Sequence, residues 1–197
     1  MTQKSIKIFI NEIYSKPPKK NYITNKTDVY HIDDVWSLDI LDLKDYGPEN
    51  NRNYRYVLAV IDNFSKFGWT TPLTNKNALT IKDFLESKMT NSKRKLNLIE
   101  TNDGSEFVNR IFTDLLNKNN IKRYSRYTSL GAVFGEIFNC TIRDLLKKIV
   151  FKQGDGKWID ILSTITKQYN NGIHSSTELS PKVASLKKNE GYVYRNY

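Results

Sequence analysis

The 197 residues, 39% hydrophobic and 12% aromatic, suffice for one full-sized folded domain and are too apolar for a disordered chain. No apolar run approaches the ~18–20 residues that span a bilayer, and the mildly apolar residues 6–9 lack the long apolar core and small residues of a secretory signal, so neither membrane insertion nor export is expected. One cysteine, Cys140, rules out an internal disulfide and with His31 and His174 cannot complete a four-ligand zinc site, while a net charge of +10 favours a polyanionic partner, nucleic acid first.

Residues 4–15 carry apolar side chains at helical spacing (Ile6, Ile10, Ile13, Tyr14) and predict a short helix stopped by Pro17 and Pro18. The basic stretch to residue 26 reads as a linker, so the chain divides into 1–26, a core at 27–191 and a tail at 192–197. Residues 35–43 predict a strand with Asp39 and Asp42 embedded in it. A Gly-, Pro- and Asn-rich loop leads to the clearest strand, 54–61 (YRYVLAVI). A turn through Asp62, Asn63, Ser65 and Lys66 joins it to a third strand at 67–73, giving an antiparallel meander. A helix at 77–89, a strand at 96–100, a helix at 106–118 and a strand at 121–124 follow. Residues 132–150 form the strongest helical pattern. Val133, Phe134, Ile137, Phe138, Thr141, Ile142, Leu145, Leu146 and Ile149 make its buried stripe, and Glu136, Asn139, Cys140, Arg143 and Lys147 lie opposite. A helix at 157–169, an exposed loop at 170–176 and a last turn or helix at 180–186 complete the chain. Three meander strands followed by alternating helices and strands predict an α/β, RNase H-like fold, a five-stranded mixed sheet with helices on both faces.

Two divalent ions a few ångströms apart can drive phosphoryl transfer when carboxylates converge on them from separate elements. Asp39 sits inside an apolar strand, where a carboxylate is costly unless it is bound or its face meets water. Glu136 stands on the polar side of the long helix, where a glutamate is ordinarily just solvated. Between them, Glu100 to Phe107 (ETNDGSEF) lies after a strand and before a helix; its Asp103-Gly104 also suits a plain turn and helix cap.

Several motifs together resemble the catalytic core of retroviral-type integrases. Trp36-Ser37-Leu38-Asp39 is similar to the family's W-x-x-D strand, and YVLAVIDNFSKFGW (56–69) to its second and third strands. ETNDGSEF resembles T-D-x-G-x-E-F, GEIFNCTIRDLLKK (135–148) resembles the E-R-F-N-R-T-I helix, and YNNGIHSSTELSP (169–181) resembles the Y-N-x-x-x-H-S-S tail. The likeness covers about residues 20–191 and is nearest in style to integrases of Polinton or Maverick transposons.

The resemblance implies DNA 3′-end processing and strand transfer with Mg²⁺ or Mn²⁺, DNA as partner, a homo-oligomeric assembly and work in the nucleus. It implies Asp39 and Glu136 as metal ligands and places the second catalytic position on Asn102, because the family's aspartate directly follows the threonine. Asp103 is then a weak substitute ligand, since adjacent residues of an extended segment point to opposite sides. Asn139, Arg143 and Lys147 become the DNA-binding candidates. Ile137 and Cys140 stand where the family usually carries arginines. An amide at position 102 supplies no charge where paired ions need one, so the expectation is an impaired integrase. The competing reading is a co-opted, non-catalytic DNA-binding or assembly module; an unrelated RNase H-like nuclease is disfavoured by the tail motif. Neither an N-terminal zinc module nor a C-terminal barrel or chromodomain fits the sequence, so a core by itself is expected.

Overall fold

The computed structural model describes residues 8, 29–92, 94–125 and 133–196. Apart from Ile8, the helix expected at 4–15 and the linker after it lie outside those residues. Strands β1 (Val35–Asp42), β2 (Tyr56–Asp62) and β3 (Gly68–Leu73) form the antiparallel meander. β4 (Leu98–Thr101) and β5 (Lys122–Ser125) add in parallel beyond β1, giving the order β3-β2-β1-β4-β5. The helices are α1 (Ala78–Ser92), α2 (Arg110–Lys118), α3 (Val133–Gln153), α4 (Ile159–Asn171), and the short α5 (Pro181–Ala184) and α6 (Glu190–Arg195). This is the RNase H-like α/β architecture expected from the order of elements.

The two-residue period of a strand builds two cores from one sheet. Trp36 and Leu38 of β1 and Leu58 and Val60 of β2 pack with Ile81 and Leu85 of α1 and Phe112, Leu115 and Leu116 of α2. Leu41 of β1 and Val57, Ala59 and Ile61 of β2 face the other way, onto Phe138, Ile142, Leu145, Leu146 and Ile149 of α3 and Ile161, Leu162 and Ile165 of α4. A smaller cluster of Val29, Val35, Phe64, Ala184 and Val193 ties α5 and α6 to the start of β1. Among the described residues, no helix is long and apolar enough to cross a membrane.

Several boundaries differ from the sequence expectation for local reasons. α2 begins at Arg110, not at 106, because Asn109 caps it: its Oδ1 accepts from Phe112 N (2.9 Å) and its Nδ2 donates to the carbonyls of Ser105 and Glu106 (2.9 and 3.0 Å). α3 runs a turn past 150, the helix expected at 180–186 is confined to Pro181–Ala184, and α6 was not anticipated. The loop after β1 holds two 3-10 turns, Lys44–Tyr46 and Pro48–Asn51. Fully buried Asn51 donates to the carbonyls of Tyr46, Gly47 and Gly156 and accepts from Trp158 N and Ile159 N, stitching that loop to the start of α4.

Gly68 opens β3 against α3 and α4. Its N–H and carbonyl are both bound by the Asn170 amide of α4 (2.9 and 2.7 Å), and the Phe138 ring of α3 fills the space a Cβ would need. Phe138 in turn packs on Tyr169, with ring centroids 4.8 Å apart. This contact seats α3 on the sheet and brings the next residue, Asn139, over β1.

Candidate active site

Asp39 lies midway along β1, opposite Ala59 of β2. It shares the strand face of Leu41, the face covered by α3. Its Oδ1 accepts from Ile40 N at 2.8 Å and from Asn102 Nδ2 at 3.4 Å; its Oδ2 accepts from Asn139 Nδ2 at 2.5 Å. Asn102 follows β4 directly. Two-residue alternation puts it on the side of Glu100, whose carboxylate accepts from Ser37 Oγ of β1 at 2.7 Å. The orientation of the Asn102 amide is set by its own loop: Oδ1 accepts from Gly104 N at 2.9 Å, which leaves the NH₂ group turned to Asp39. Gly104 permits that turn, because a Cβ there would come within 2.7 Å of the Glu106 carboxylate.

Asp103 goes the other way. Its carboxylate takes Ser125 Oγ at 2.6 Å and Arg123 Nη1 at 3.1 Å, both on β5, and those bonds hold its pKa below the usual aspartate value. Arg123 also binds Thr101 Oγ1 (3.0 Å) and the Asn102 carbonyl (3.4 Å), so β5 clamps the segment from behind.

Glu136 is exposed in the first turn of α3. It precedes Asn139 by three residues, a spacing that puts two side chains on one helix face with Cβ atoms roughly 5–6 Å apart. The structure thus joins Asp39, Asn102 and Asn139 by direct hydrogen bonds, and Glu136 adjoins them along the helix. Cys140, Arg143 and Lys147 are exposed, as the outward face predicts. Asn139 differs: it is only 6% exposed, because its amide turns inward to reach Asp39. Arg143 runs past the first 3-10 turn, where its charge offsets part of the burial-driven rise in the Tyr46 phenol pKa. Among the described residues, no group of three or more His, Cys, Asp or Glu could hold a metal ion.

A buried polar cluster beside the site escaped sequence reading. Asp62, Asn63, Ser65 and Lys66, which form the expected turn, are all inaccessible. Burial pushes Asp62 up to about 6, against the opposing bonds from Ser65. Burial also drives the Lys66 amine well below its ordinary pKa. Lys66 Nζ donates to the Asn63 carbonyl and sits 3.1 Å from the centre of the Phe134 ring, two residues before Glu136. His174 of the tail motif is lowered to about 4, first by burial and then by the Lys66 charge. Its backbone closes the turn with Leu179, Thr177 and Glu178, and its Nδ1 lies 3.0 Å from Ser176 Oγ. The only hint in the sequence was an unusual density of polar residues between two apolar strands.

Comparison with known families matches residues 30–124 to the integrase core domain. The retrovirus-related Pol polyprotein from transposon RE2 of Arabidopsis thaliana is 26% identical over 123 residues, which is 59% of this chain and 8% of the polyprotein. A chain of the simian T-cell lymphotropic virus intasome, solved in complex with PP2A regulatory subunit B56 gamma, superposes with a TM-score of 0.69 at 14% identity over 86% of this chain and 60% of that one. The HTLV-2 integrase catalytic core domain in complex with magnesium gives a TM-score of 0.60 at 16% identity, over 79% of this chain and 98% of that one. The chain therefore spans a small part of the polyprotein and just over half of the simian viral chain. The family match takes in just under half of this chain, and the structural likeness agrees with the fold described above.

Proposed function

We propose that this chain is a DNA-binding core of the integrase type, of the lineage of Polinton or Maverick elements, in which DNA 3′-end processing and strand transfer are impaired. Its partner is DNA, its setting the nucleus and its working form an assembly of copies. One observation carries the impairment: Asp39 is faced by the amide NH₂ groups of Asn102 and Asn139. Closely spaced divalent ions repel each other and coexist only where carboxylates bridge and flank them. The HTLV-2 core domain is described with magnesium. Here the cluster offers two carboxylates, Asp39 and Glu136, and turns hydrogen-bond donors toward the first. The amide of Asn102 cannot reverse without setting its NH₂ against Gly104 N–H. The residues present do not fit a pair of divalent ions, and no catalytic step through such a pair follows from them.

DNA binding needs no metal. The outer face of α3 presents Arg143, Lys147 and Lys148, all exposed and none in an ion pair with a described residue. Each phosphate neutralised releases counterions, and log K falls against log salt by about 0.9 per contact. Three such contacts predict roughly a 40-fold loss of duplex affinity between 50 and 200 mM salt, with little dependence on sequence. Fluorescence anisotropy with a labelled random-sequence duplex checks this. Affinity that stays flat over that range, or no binding at low salt, contradicts the DNA-binding reading.

A further inference from the structure

Phe151 is 90% exposed, the most exposed large apolar side chain among the described residues. It stands in the last turns of α3, on the stripe that begins at Glu136 and continues through Arg143 and Lys147; positions 136, 143, 147 and 151 fall within about one quadrant of the helix at 100° per residue. The rise of 1.5 Å per residue places it about 22 Å from Glu136 along the axis. Lys147 and Lys148 precede it by four and three residues and Lys152 follows it, all exposed. A single aromatic ring set among lysines is poorly suited to pack on a second copy of this chain. Apposing the same face would bring like charges together on a protein already carrying +10. A polyanion with flat apolar faces meets both features: phosphates against the lysines, and a base against the ring.

We propose that Phe151 is a stacking contact for an unpaired base of nucleic acid held along the outer face of α3. This rests on the DNA-binding reading and adds to it a preference for single-stranded or unstacked segments. Duplex DNA hides its base faces, so Phe151 contributes to single-strand binding and little to intact duplex. The ring touches no core cluster, so its removal leaves the fold in place.

The test uses the full chain with a labelled 20-nucleotide single strand and, separately, a blunt duplex of the same sequence. Phe151→Ala is expected to weaken single-strand binding about 5- to 100-fold and to leave duplex binding within about twofold; Phe151→Trp keeps both. A single strand carrying 2-aminopurine should lose fluorescence on binding the unmodified chain, and this quench should be absent with Phe151→Ala. Unchanged single-strand affinity in Phe151→Ala overturns the inference. So does a persistent quench, or a change confined to oligomeric state in sedimentation. Lys147→Glu combined with Lys148→Glu separates the two readings. If it abolishes duplex binding while Phe151→Ala is silent, the stacking inference alone fails; if the unmodified chain binds neither probe, the DNA-binding reading fails with it.

Discussion

Asn102→Asp is expected to convert a cluster indifferent to divalent ions into one that depends on them. In the unmodified chain the Asn102 NH₂ group faces Asp39 Oδ1 at 3.4 Å, held in that sense by Gly104 N. A carboxylate in its place exchanges a donor for a second negative charge, a few ångströms from Asp39. Like charges at that range in a half-buried site cost on the order of 1–2 kcal/mol. At about 2–4 °C per kcal/mol for a chain of this size, the variant should melt roughly 2–8 °C lower in chelator. Manganese or magnesium should reverse the sign. Ion at a hundred times its dissociation constant adds ~2.7 kcal/mol, so the variant should gain about 5–10 °C. The unmodified chain should shift by less than a degree. Thermal unfolding of both proteins in chelator and in millimolar Mn²⁺ reads all four values. An unmodified chain that gains as much from the ion as the variant does would defeat the account of the cluster.

The second large effect concerns how α3 is seated. Phe138 fills the space over Gly68, packs on Tyr169 and sits one residue before the asparagine that binds Asp39. Phe138→Ala should cost about 3–5 kcal/mol of stability, the usual range for deleting a buried aromatic. Gly68→Ala should cost about 1–3 kcal/mol, since the added methyl overlaps the ring and the strand is pinned on both sides by Asn170. The two sites are in contact, so their effects should not add. In a Phe138→Leu background the smaller side chain leaves room, and most of the Gly68→Ala penalty should vanish. Urea unfolding of the four-protein cycle measures the coupling. Strict additivity would mean that the ring is not what Gly68 accommodates.

Much of the fold was legible because single strands and helices carry their own periods. The apolar run of β2 and the buried stripe of α3 announce themselves whatever surrounds them. The divergence of Asn102 and Asp103 was readable from the two-residue alternation of an extended segment, and the hydrogen bonds place Asp103 on β5 and Asn102 against Asp39. What stayed hidden depends on partners distant in sequence. Asn139 lies at the margin of the polar face of α3, and only an acceptor 100 residues earlier draws it inward. Lys66 looks like any turn lysine until Phe134 and the tail loop close over it. Asn51 sits in a loop whose composition suggests only turns, yet it binds Trp158 and Ile159 more than a hundred residues on. The late start of α2 was missed because the cap is an asparagine three residues inside an apparently helical pattern.

The central claim is that the amide of Asn102 stands where a reacting metal pair would need a charge, while DNA binding persists. The measurement that meets it most directly is the joining of a labelled oligonucleotide to plasmid DNA by the unmodified chain in Mn²⁺, with binding of the same oligonucleotide followed in parallel. The account predicts an oligonucleotide that is bound and not joined above the level seen without protein. Robust joining by the unmodified chain, lost on Asp39→Ala, would contradict it.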